Sequence, residues 1–230
     1  MQMHIINKNN KNHIHNDHTL IINEIERSMI LYDWKFVLSS LPSGSFLVGG
    51  YIRDLILGRL NSEIDVDIIV PKNAVEVGKK IAYKFEGKFI TLDDTRDVAR
   101  IIFKHISFDI ASQMSPSIEI DLLGRDFSIN AIAFSFDEKF IIDPSNGIKD
   151  LQISLLRTNS KKNLLDDPLR ILRCFRFVSE LNFHIDQNLI NFIKTYKNSL
   201  GLVANERINY EIQRIIKGVE AIQAIKLINQ

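Results

Sequence analysis

The sequence predicts an α+β fold, in which a region of mixed strands and helices is followed by an all-helical region. Three observations support this prediction. Short apolar runs of strand length alternate with helical segments up to about residue 150. The later segments have helical spacing and little β character. The 230 residues, 45% of them hydrophobic, are enough for one large domain or two small ones.

The first region contains six predicted strands and up to four predicted helices. The strands are predicted at residues 45–48, 64–70, 88–92, 99–103, 107–111 and 131–134. One or two helices are predicted within residues 20–41, and single helices at 51–57 and 74–85. Gly58 is expected to end the helix at 51–57 in a left-handed conformation. In the later region, helices are predicted at 168–177, 186–196 and 206–217.

These elements predict three parts: a disordered tail at 1–18, a first domain at 19–150 and a second domain at 151–230. The tail is rich in Asn, His and Lys and has no apolar signal core, so no secretion signal is expected. Its histidines, His4, His13, His15 and His18, have no regular metal-binding spacing. No run of 18 apolar residues is present, so no membrane span or membrane partner is expected.

The charge and the cysteine content indicate the class of protein. Residues 151–230 carry 12 Lys and Arg against 7 Asp and Glu, a net charge of +5. The first 150 residues carry 17 basic and 21 acidic residues, a net charge of −4. An acidic half followed by a basic half suits a metal site beside a surface that binds a polyanion. The single cysteine, Cys174, cannot form an internal disulfide and is expected to be a buried, reduced thiol in a cytoplasmic protein.

A Gly49-Gly50 pair lies between the first predicted strand and the following helix. Paired glycines allow a sharp turn and a close approach of the backbone to a ligand. The N–H groups at the helix start suit a phosphate, and Arg53 adds a positive charge. A lone Gly-Gly is usually only a turn, so the prediction depends on the carboxylates that follow.

Asp65 and Asp67 lie two residues apart on a predicted strand, so both carboxylates point to one face. Two adjacent carboxylates suit Mg²⁺, especially when phosphates complete its coordination. Asp109, on a later strand, is a candidate third carboxylate. An isolated Asp-x-Asp is usually a solvated strand edge or turn. The order of strand, Gly-Gly turn, helix and Asp-x-Asp within residues 46–67 favours a metal and phosphate site.

This segment resembles the first conserved motif of the class II tRNA nucleotidyltransferase (CCA-adding enzyme) and bacterial poly(A) polymerase family. Four further segments resemble the later motifs of that family in the right order, and together the five cover about residues 45–217. They are RDFSINA at 125–131, DPSNGIKDL at 143–151, DDPLR at 166–170 and ERINYE at 206–211.

The resemblance implies a polymerase-β-like head with a mixed β-sheet, joined to an all-helical neck. In such enzymes Asp65 and Asp67 would be catalytic and would bind Mg²⁺, with Asp109 as a further metal ligand. The motif at 125–131 would bind the triphosphate and ribose, and the one at 143–151 would be a flexible joint. The implied nucleotide-binding residues are Gly49, Gly50, Arg53, Asp54, Arg125, Asp126, Asn130, Asp167, Arg170 and Arg173.

Asp167 and Arg170 lie three residues apart at the start of a predicted helix and can share a face. Cytosine and adenine both present an amino donor beside a ring-nitrogen acceptor, which a carboxylate and a guanidinium can pair with. Uracil and guanine reverse that order and would leave polar groups unpaired. The alternative is structural, because Asp before Pro also caps helices. In that case Asp167, the residue before Pro168, would be the cap; in the functional interpretation Asp166 caps while Asp167 reads the base, and the sequence alone does not assign these roles.

The basic residues around this motif are candidates for RNA contacts. Lys161, Lys162 and Arg176 are the predicted RNA-binding residues, although short charge runs are usually solvated and Arg176 can instead pair with Glu180. Glu206 and Glu211 are expected to brace neighbouring helices.

Several positions differ from the family pattern. Gly124 lies where an arginine is common, Asp166 replaces a glutamate, and Ala204-Asn205 replaces Ser-Pro. The segment 112–117 is short where CCA-adding members carry a longer flexible loop, which favours addition of C alone. The chain also stops soon after the last motif, where family members continue into domains that hold tRNA.

The sequence therefore predicts a template-independent tRNA nucleotidyltransferase that adds C, A or both to the tRNA 3′ end from CTP and ATP. Two alternatives remain open: a poly(A) polymerase acting on other RNA 3′ ends, and a truncated, non-catalytic module that binds nucleotide or RNA. A partner protein that supplies the missing C-terminal region is also a candidate.

Overall fold

The computed structural model describes residues 18–60 and 62–229. The chain divides into two units: unit 1 comprises the residues up to Leu122 together with Asn130–Pro144, and unit 2 comprises Leu123–Ile129 together with the residues from Ser145. The predicted tail histidines His4, His13 and His15 lie outside the described residues. None of the helices in the described part of the chain has the length and apolar character needed to cross a membrane.

Unit 1 is an α+β structure with a mixed sheet, as predicted. Its helices are α1 (His18–Leu31), α2 (Gly50–Ile56), α3 (Ala74–Phe85) and α4 (Ile118–Leu123), with a 3-10 helix at Lys35–Ser40. Its strands are β1 (Phe46–Val48), β2 (Ile64–Val70), β3 (Lys88–Asp93), β4 (Val98–Ile102), β5 (Ile106–Ser112), β6 (Ala133–Ser135) and β7 (Ile141–Ile142). All six predicted strands are present. Strand β7 was not predicted, because two residues are too few to show a periodic pattern.

The seven strands form one sheet in the order β3-β4-β5-β2-β1-β6-β7. Only β2 and β5 pair in parallel, and every other neighbouring pair is antiparallel. The parallel pair lies at the centre of the sheet, so residues 42 positions apart in the sequence become neighbours, as Asp67 and Asp109 do. This register determines the geometry of the candidate site.

The two faces of the sheet are packed differently. One face carries fully buried side chains, among them Val66, Ile68, Phe108 and Ile110, and α2 and α3 pack near it against β2, β4 and β5. The other face is apolar at its β1-β6-β7 end, where α4 joins a cluster formed by Val48, Ile69, Ile118, Leu122, Ala131, Ala133 and Ile142. Towards β2, β5 and β4 the same face becomes polar. The core therefore leaves one half of one face available for charged groups.

Unit 2 is mainly helical. Its helices are α5 (Gly147–Gln152), α6 (Lys161–Asp166), α7 (Leu169–Leu181), α8 (Gln187–Tyr196), α9 (Asn205–Lys217) and α10 (Ala221–Ile228), with a 3-10 helix at Lys197–Leu202. It also contains a parallel pair of two-residue strands, β8 (Leu155–Leu156) and β9 (His184–Ile185), where only helices were expected. The buried thiol of Cys174 agrees with the prediction, and burial raises the pKa of this thiol.

Candidate active site

The glycine turn after β1 has the predicted form. Gly49 has a φ of 76° and a ψ of −130°, a conformation that side chains with a Cβ disfavour. Its N–H donates to the carbonyl of Ile132 at 3.0 Å, which fixes the turn to the start of β6. Gly58, after the end of α2, has a φ of 63°, so the expected left-handed termination is confirmed.

Arg53, on α2, connects two of the sequence motifs within unit 1. Its guanidinium donates to both carboxylate oxygens of Asp54, from Nε at 2.9 Å and from Nη2 at 2.7 Å. Its Nη1 donates to Oδ1 of Asn130 at 2.6 Å. The side chain of Arg53 is only 14% exposed. Residues 77 positions apart in the sequence thus form one hydrogen-bonded group, which holds the guanidinium in a fixed orientation.

The predicted carboxylates lie on the polar half of the sheet face. Asp65 and Asp67 alternate with the buried Ile64, Val66 and Ile68 along β2, so both point away from the core. Asp109, on β5, is the direct register partner of Asp67. The structure therefore brings all three predicted carboxylates onto one face.

Two neighbours of these carboxylates were not identified from the sequence. Arg100, the β4 register partner of Asp109, donates to both of its oxygens, at 2.6 Å and 2.7 Å. These hydrogen bonds raise the pKa of Arg100, and the charges of Asp109, Asp65 and Asp67 raise it further, against an opposing effect of burial. Ser107, the register partner of Asp65, donates to its Oδ1. Arg100 and Asp109 lie symmetrically about the short β4–β5 connection, which is the signal that could have paired them.

Arg125 and Asp126, the first two residues of the motif at 125–131, belong to unit 2. Asp126 is 4% exposed, and its Oδ2 pairs with Nη2 of Arg173 at 2.8 Å. The carbonyl of Arg125 accepts from the side-chain amides of Asn159 and Asn163, at 3.0 Å and 2.7 Å. Three of the predicted nucleotide-binding residues are thus held together in unit 2, whereas Asn130 of the same motif lies in unit 1.

Asp167 and Arg170 bind different partners within unit 2. Asp167 lies between α6 and α7, and Nη2 of Arg207 donates to its Oδ2 at 3.1 Å. Its Oδ1 accepts from the backbone N–H of Leu169 at 3.3 Å, so this carboxylate makes the helix-capping contact that was the structural alternative. Nη1 of Arg170 donates to the carbonyls of Gly124 and Asn163, at 3.2 Å and 3.0 Å.

Residues 45–157 match the family described as the Poly A polymerase head domain. A CC-adding tRNA nucleotidyltransferase from Synechocystis sp. is 39% identical over 181 residues, which are 79% of this chain and 44% of that protein. An A-adding tRNA nucleotidyltransferase from Deinococcus radiodurans is 31% identical over 193 residues, which are 82% of this chain and 43% of that protein.

The chain belongs to the tRNA nucleotidyltransferase and poly(A) polymerase family. A structure of a CCA-adding enzyme with CTP superposes with a TM-score of 0.76 at 28% identity, covering 91% of this chain and 53% of that one. A Thermotoga maritima CCA-adding enzyme complexed with tRNA superposes with a TM-score of 0.73 at 28% identity, covering 91% and 52%. The chain spans about half the length of the relatives that it matches.

The carboxylates of Asp65 and Asp67 fit a magnesium ion whose remaining ligands come from the phosphates of a bound nucleotide and from water. Mg²⁺ in proteins usually takes one or two carboxylates and completes its octahedron with phosphates and water. Asp65 and Asp67 can supply those two. Across residues 18–60 and 62–229, no three His, Cys, Asp or Glu side chains form a complete metal cluster. Each oxygen of Asp109 accepts one hydrogen bond from Arg100, so Asp109 would have to share its carboxylate with that guanidinium to become a third ligand.

The contacts of Arg176 do not support its predicted role in RNA binding. It is 6% exposed, and its Nη1 lies 3.3 Å from Oε1 of Glu211, which is 4% exposed. Burial lowers the pKa of Arg176 to about 10, against the charge of Glu211. A buried arginine paired with a buried glutamate braces α7 against α9, as was expected for Glu211. Lys161 and Lys162 are exposed on α6, as an RNA contact requires.

Proposed function

We propose that this chain is a template-independent tRNA nucleotidyltransferase that transfers nucleotides from CTP or ATP to the tRNA 3′ end with Mg²⁺. The observation that carries the proposal is the pair of carboxylates, Asp65 and Asp67, on the open polar face of the unit 1 sheet. Membership of the nucleotidyltransferase family supports the same reaction. A cytoplasmic location remains a prediction from the sequence.

The reaction is an in-line attack of an RNA 3′-hydroxyl on the α-phosphate, with release of pyrophosphate. Asp65 and Asp67 would hold Mg²⁺, which when bound lowers the barrier by favouring the deprotonated hydroxyl and stabilising the charge on the leaving group. Ser107 orients the carboxylate of Asp65 by donating to it. The contribution of the protein is mainly positioning and electrostatic stabilisation.

Arg53 would contact the phosphates of the nucleotide. It is held by Asp54 and Asn130, so its guanidinium lies in a fixed orientation before substrate binds. Preorganised donors cost little reorganisation during the reaction. In unit 2, Asp126 and Arg173 would bind the triphosphate and ribose as a pair, since each fixes the position of the other.

Asp167 and Arg170 would select cytosine or adenine. The side chain of Asp167 is 30% exposed and pairs with the more exposed Arg207, a contact of low cost to exchange. Arg170 donates to two backbone carbonyls, which orient it without neutralising its charge. A base with an amino donor beside a ring-nitrogen acceptor matches this pair, whereas uracil and guanine do not.

We propose addition of C alone as the specific activity. The segment that links β5 to α4 runs from Gln113 to Ser117 only, and the family resemblance associates a short segment here with CC addition. Curated relatives include both CC-adding and A-adding enzymes. A poly(A) polymerase is the second candidate, because the matching family is described by the poly A polymerase head.

Primer extension distinguishes these activities. The protein is incubated with Mg²⁺ and labelled CTP or ATP, supplied separately, on tRNA ending at the discriminator base, at C or at CC. Addition of two C residues and then arrest supports CC addition. Efficient incorporation of A overturns it, and long A tracts on unrelated RNA identify a poly(A) polymerase. Absence of extension on every RNA, at high concentration, identifies a non-catalytic module.

A further inference from the structure

A cavity of about 430 Å³ lies between α6 and α8 in unit 2. Lys161 and Leu165 line it from α6. From α8 it is lined by residues at helical spacing, so that one stripe of the helix faces the cavity: Asn188, Asn191, Phe192, Thr195 and Tyr196. Lys161 was predicted to contact RNA, and none of the other lining residues has a role in the proposed reaction.

The cavity has an aromatic surface that is already assembled. Phe192 and Tyr196 are one helical turn apart, and their rings stack with centroids 4.5 Å apart and an interplanar angle of 30°. Phe192 is 5% exposed, whereas Tyr196 is 41% exposed. A buried ring therefore supports an exposed one. Exposed aromatic rings of this kind stack with nucleobases, because every base has a flat π-face.

The remaining lining is polar and includes a positive charge. The side chain of Asn191 is oriented by Gln187, whose amide donates to its Oδ1 at 3.1 Å, and the Thr195 hydroxyl donates to the backbone carbonyl of Asn191 at 3.0 Å. The amide of Asn188 offers both donors and an acceptor for the edge of a base. Lys161 is exposed at the cavity and can contact a phosphate.

We propose that this cavity binds one nucleotide of a single-stranded segment of the RNA substrate. The base would stack on Tyr196, its edge would meet Asn188 or Asn191, and its phosphate would lie near Lys161. A single lysine suits the one phosphate that each nucleotide of a strand carries, whereas a free triphosphate calls for more cations. The net charge of +5 on residues 151–230 favours a polyanion over an acidic or neutral protein surface.

The inference extends the proposed function, because it assumes an RNA substrate, but it does not depend on catalysis. Helix α6, which supplies Lys161, ends at Asp166, next to the base-selecting Asp167. A nucleotide held here would anchor the RNA strand on the same unit that selects the incoming base. The site would therefore affect RNA affinity and leave the choice of CTP or ATP unchanged.

The test is ultraviolet crosslinking of the Asp65→Asn, Asp67→Asn protein to a short single-stranded RNA, without Mg²⁺ or nucleotide, followed by mass spectrometry. A crosslink at Tyr196 or Phe192 is expected. Fluorescence anisotropy with the same RNA should show that Tyr196→Ala weakens binding by roughly 5- to 100-fold, the effect of losing one base stack. Tyr196→Phe, which keeps the ring, should remain within about twofold.

Further variants guard against misfolding. Asn188→Ala and Lys161→Glu change exposed side chains, and both should weaken RNA binding while thermal unfolding stays unchanged. Crosslinks confined to other residues, with unchanged affinity in these variants, would overturn the proposal. Loss of the Tyr196 crosslink when free CMP is added at the same concentration as the RNA would also overturn it, because that result would identify a mononucleotide site. Failed primer extension with retained crosslinking would reject the proposed activity but not this site.

Discussion

At the scale of single residues, the charge of the polar sheet face depends on Arg100. Three carboxylates lie on that face, and Arg100 binds one of them through two hydrogen bonds. Carboxylates gathered without a cation repel each other. Arg100 therefore acts as an internal positive charge that balances part of the face before a divalent cation binds.

Arg100→Gln is predicted to bind Mn²⁺, as a spectroscopic substitute for Mg²⁺, more tightly than the unmodified protein. Removing one positive charge near the ion lowers repulsion by about 1 kcal/mol, or roughly fivefold in affinity. Electron paramagnetic resonance of free Mn²⁺ measures this directly. The control is Arg96→Gln, since the side chain of Arg96 is 78% exposed and pairs only weakly with Asp93. Equal or weaker Mn²⁺ binding by Arg100→Gln would contradict the claim that Arg100 balances the negative charge of this sheet face.

The alternation of Asp65 and Asp67 with buried residues could be predicted from the sequence, because it depends only on the two-residue period of a strand. The pairing of Asp67 with Asp109 could not, since it depends on a parallel register between strands distant in the sequence. The burial of Arg176 was also missed, because a helical arginine looks alike in the sequence whether it meets solvent or Glu211.

At the scale of elements, the start of α3 depends on a carboxylate from another part of the chain. Asp97 accepts from the backbone N–H groups of Ala74 at 2.8 Å and Val75 at 2.9 Å, and from the hydroxyl of Ser112. Burial raises the pKa of Asp97, but these hydrogen bonds together lower it below its usual value. The ionised carboxylate thus stabilises the N-terminus of the helix.

Asp97→Asn is predicted to lower the free energy of unfolding by about 1 kcal/mol at neutral pH. Because the folded-state pKa is lowered, this stability is present above the pKa of the unfolded chain and is lost as the pH falls through the folded value. The difference in free energy of unfolding between the unmodified protein and Asp97→Asn should therefore disappear as the pH falls below about 4. Denaturant unfolding at several pH values, with the exposed Asp94→Asn as control, measures it. A gap that persists in acid would refute this explanation.

The contact between α7 and α9 should be sensitive to loss of Glu211. Glu211→Ala removes the shorter of the two ion pairs of the buried Arg176 and leaves only Glu180, at 3.8 Å, a loss expected to cost about 3 kcal/mol. Glu206 was also expected to brace neighbouring helices, but it is exposed on the same helix, so Glu206→Ala is the matched control and should have little effect. Thermal unfolding compares them. A double variant, Arg176→Met with Glu211→Leu, should recover most of the lost stability. Equal melting temperatures for Glu211→Ala and Glu206→Ala would show that the pair of Arg176 and Glu211 does not brace the helices.

The long elements could be predicted from periodicity, whereas several of the short ones could not. The bounds of β2 and α3 agree with the prediction at both ends. Helices α4 and α6 have six residues each, too few for a helical repeat to stand out. The strands β8 and β9 have two residues each, and only their tertiary pairing identifies them.

At the scale of the whole molecule, the division between the units is not a single point in the sequence. A boundary at 150 was predicted from the change in composition, whereas residues 123–129 lie in unit 2 and residues 130–144 in unit 1. Within unit 2, Phe127 packs edge-on against Phe177 with centroids 5.6 Å apart. The segment 123–129 therefore joins unit 2 through packing with residues far along the chain, which no local pattern reveals.

Metal-dependent nucleotidyl transfer by the two carboxylates of β2 is tested most directly by single-turnover transfer from labelled CTP to tRNA that lacks its 3′ CCA. Asp65→Asn and Asp67→Asn keep the shape of the side chain but remove the negative charge on which Mg²⁺ binding depends. Each is predicted to lower the rate at least about a thousandfold, with unchanged thermal unfolding, and chelation of Mg²⁺ should abolish transfer by the unmodified protein. Transfer that survives in either variant, or without a divalent cation, would contradict the proposed mechanism.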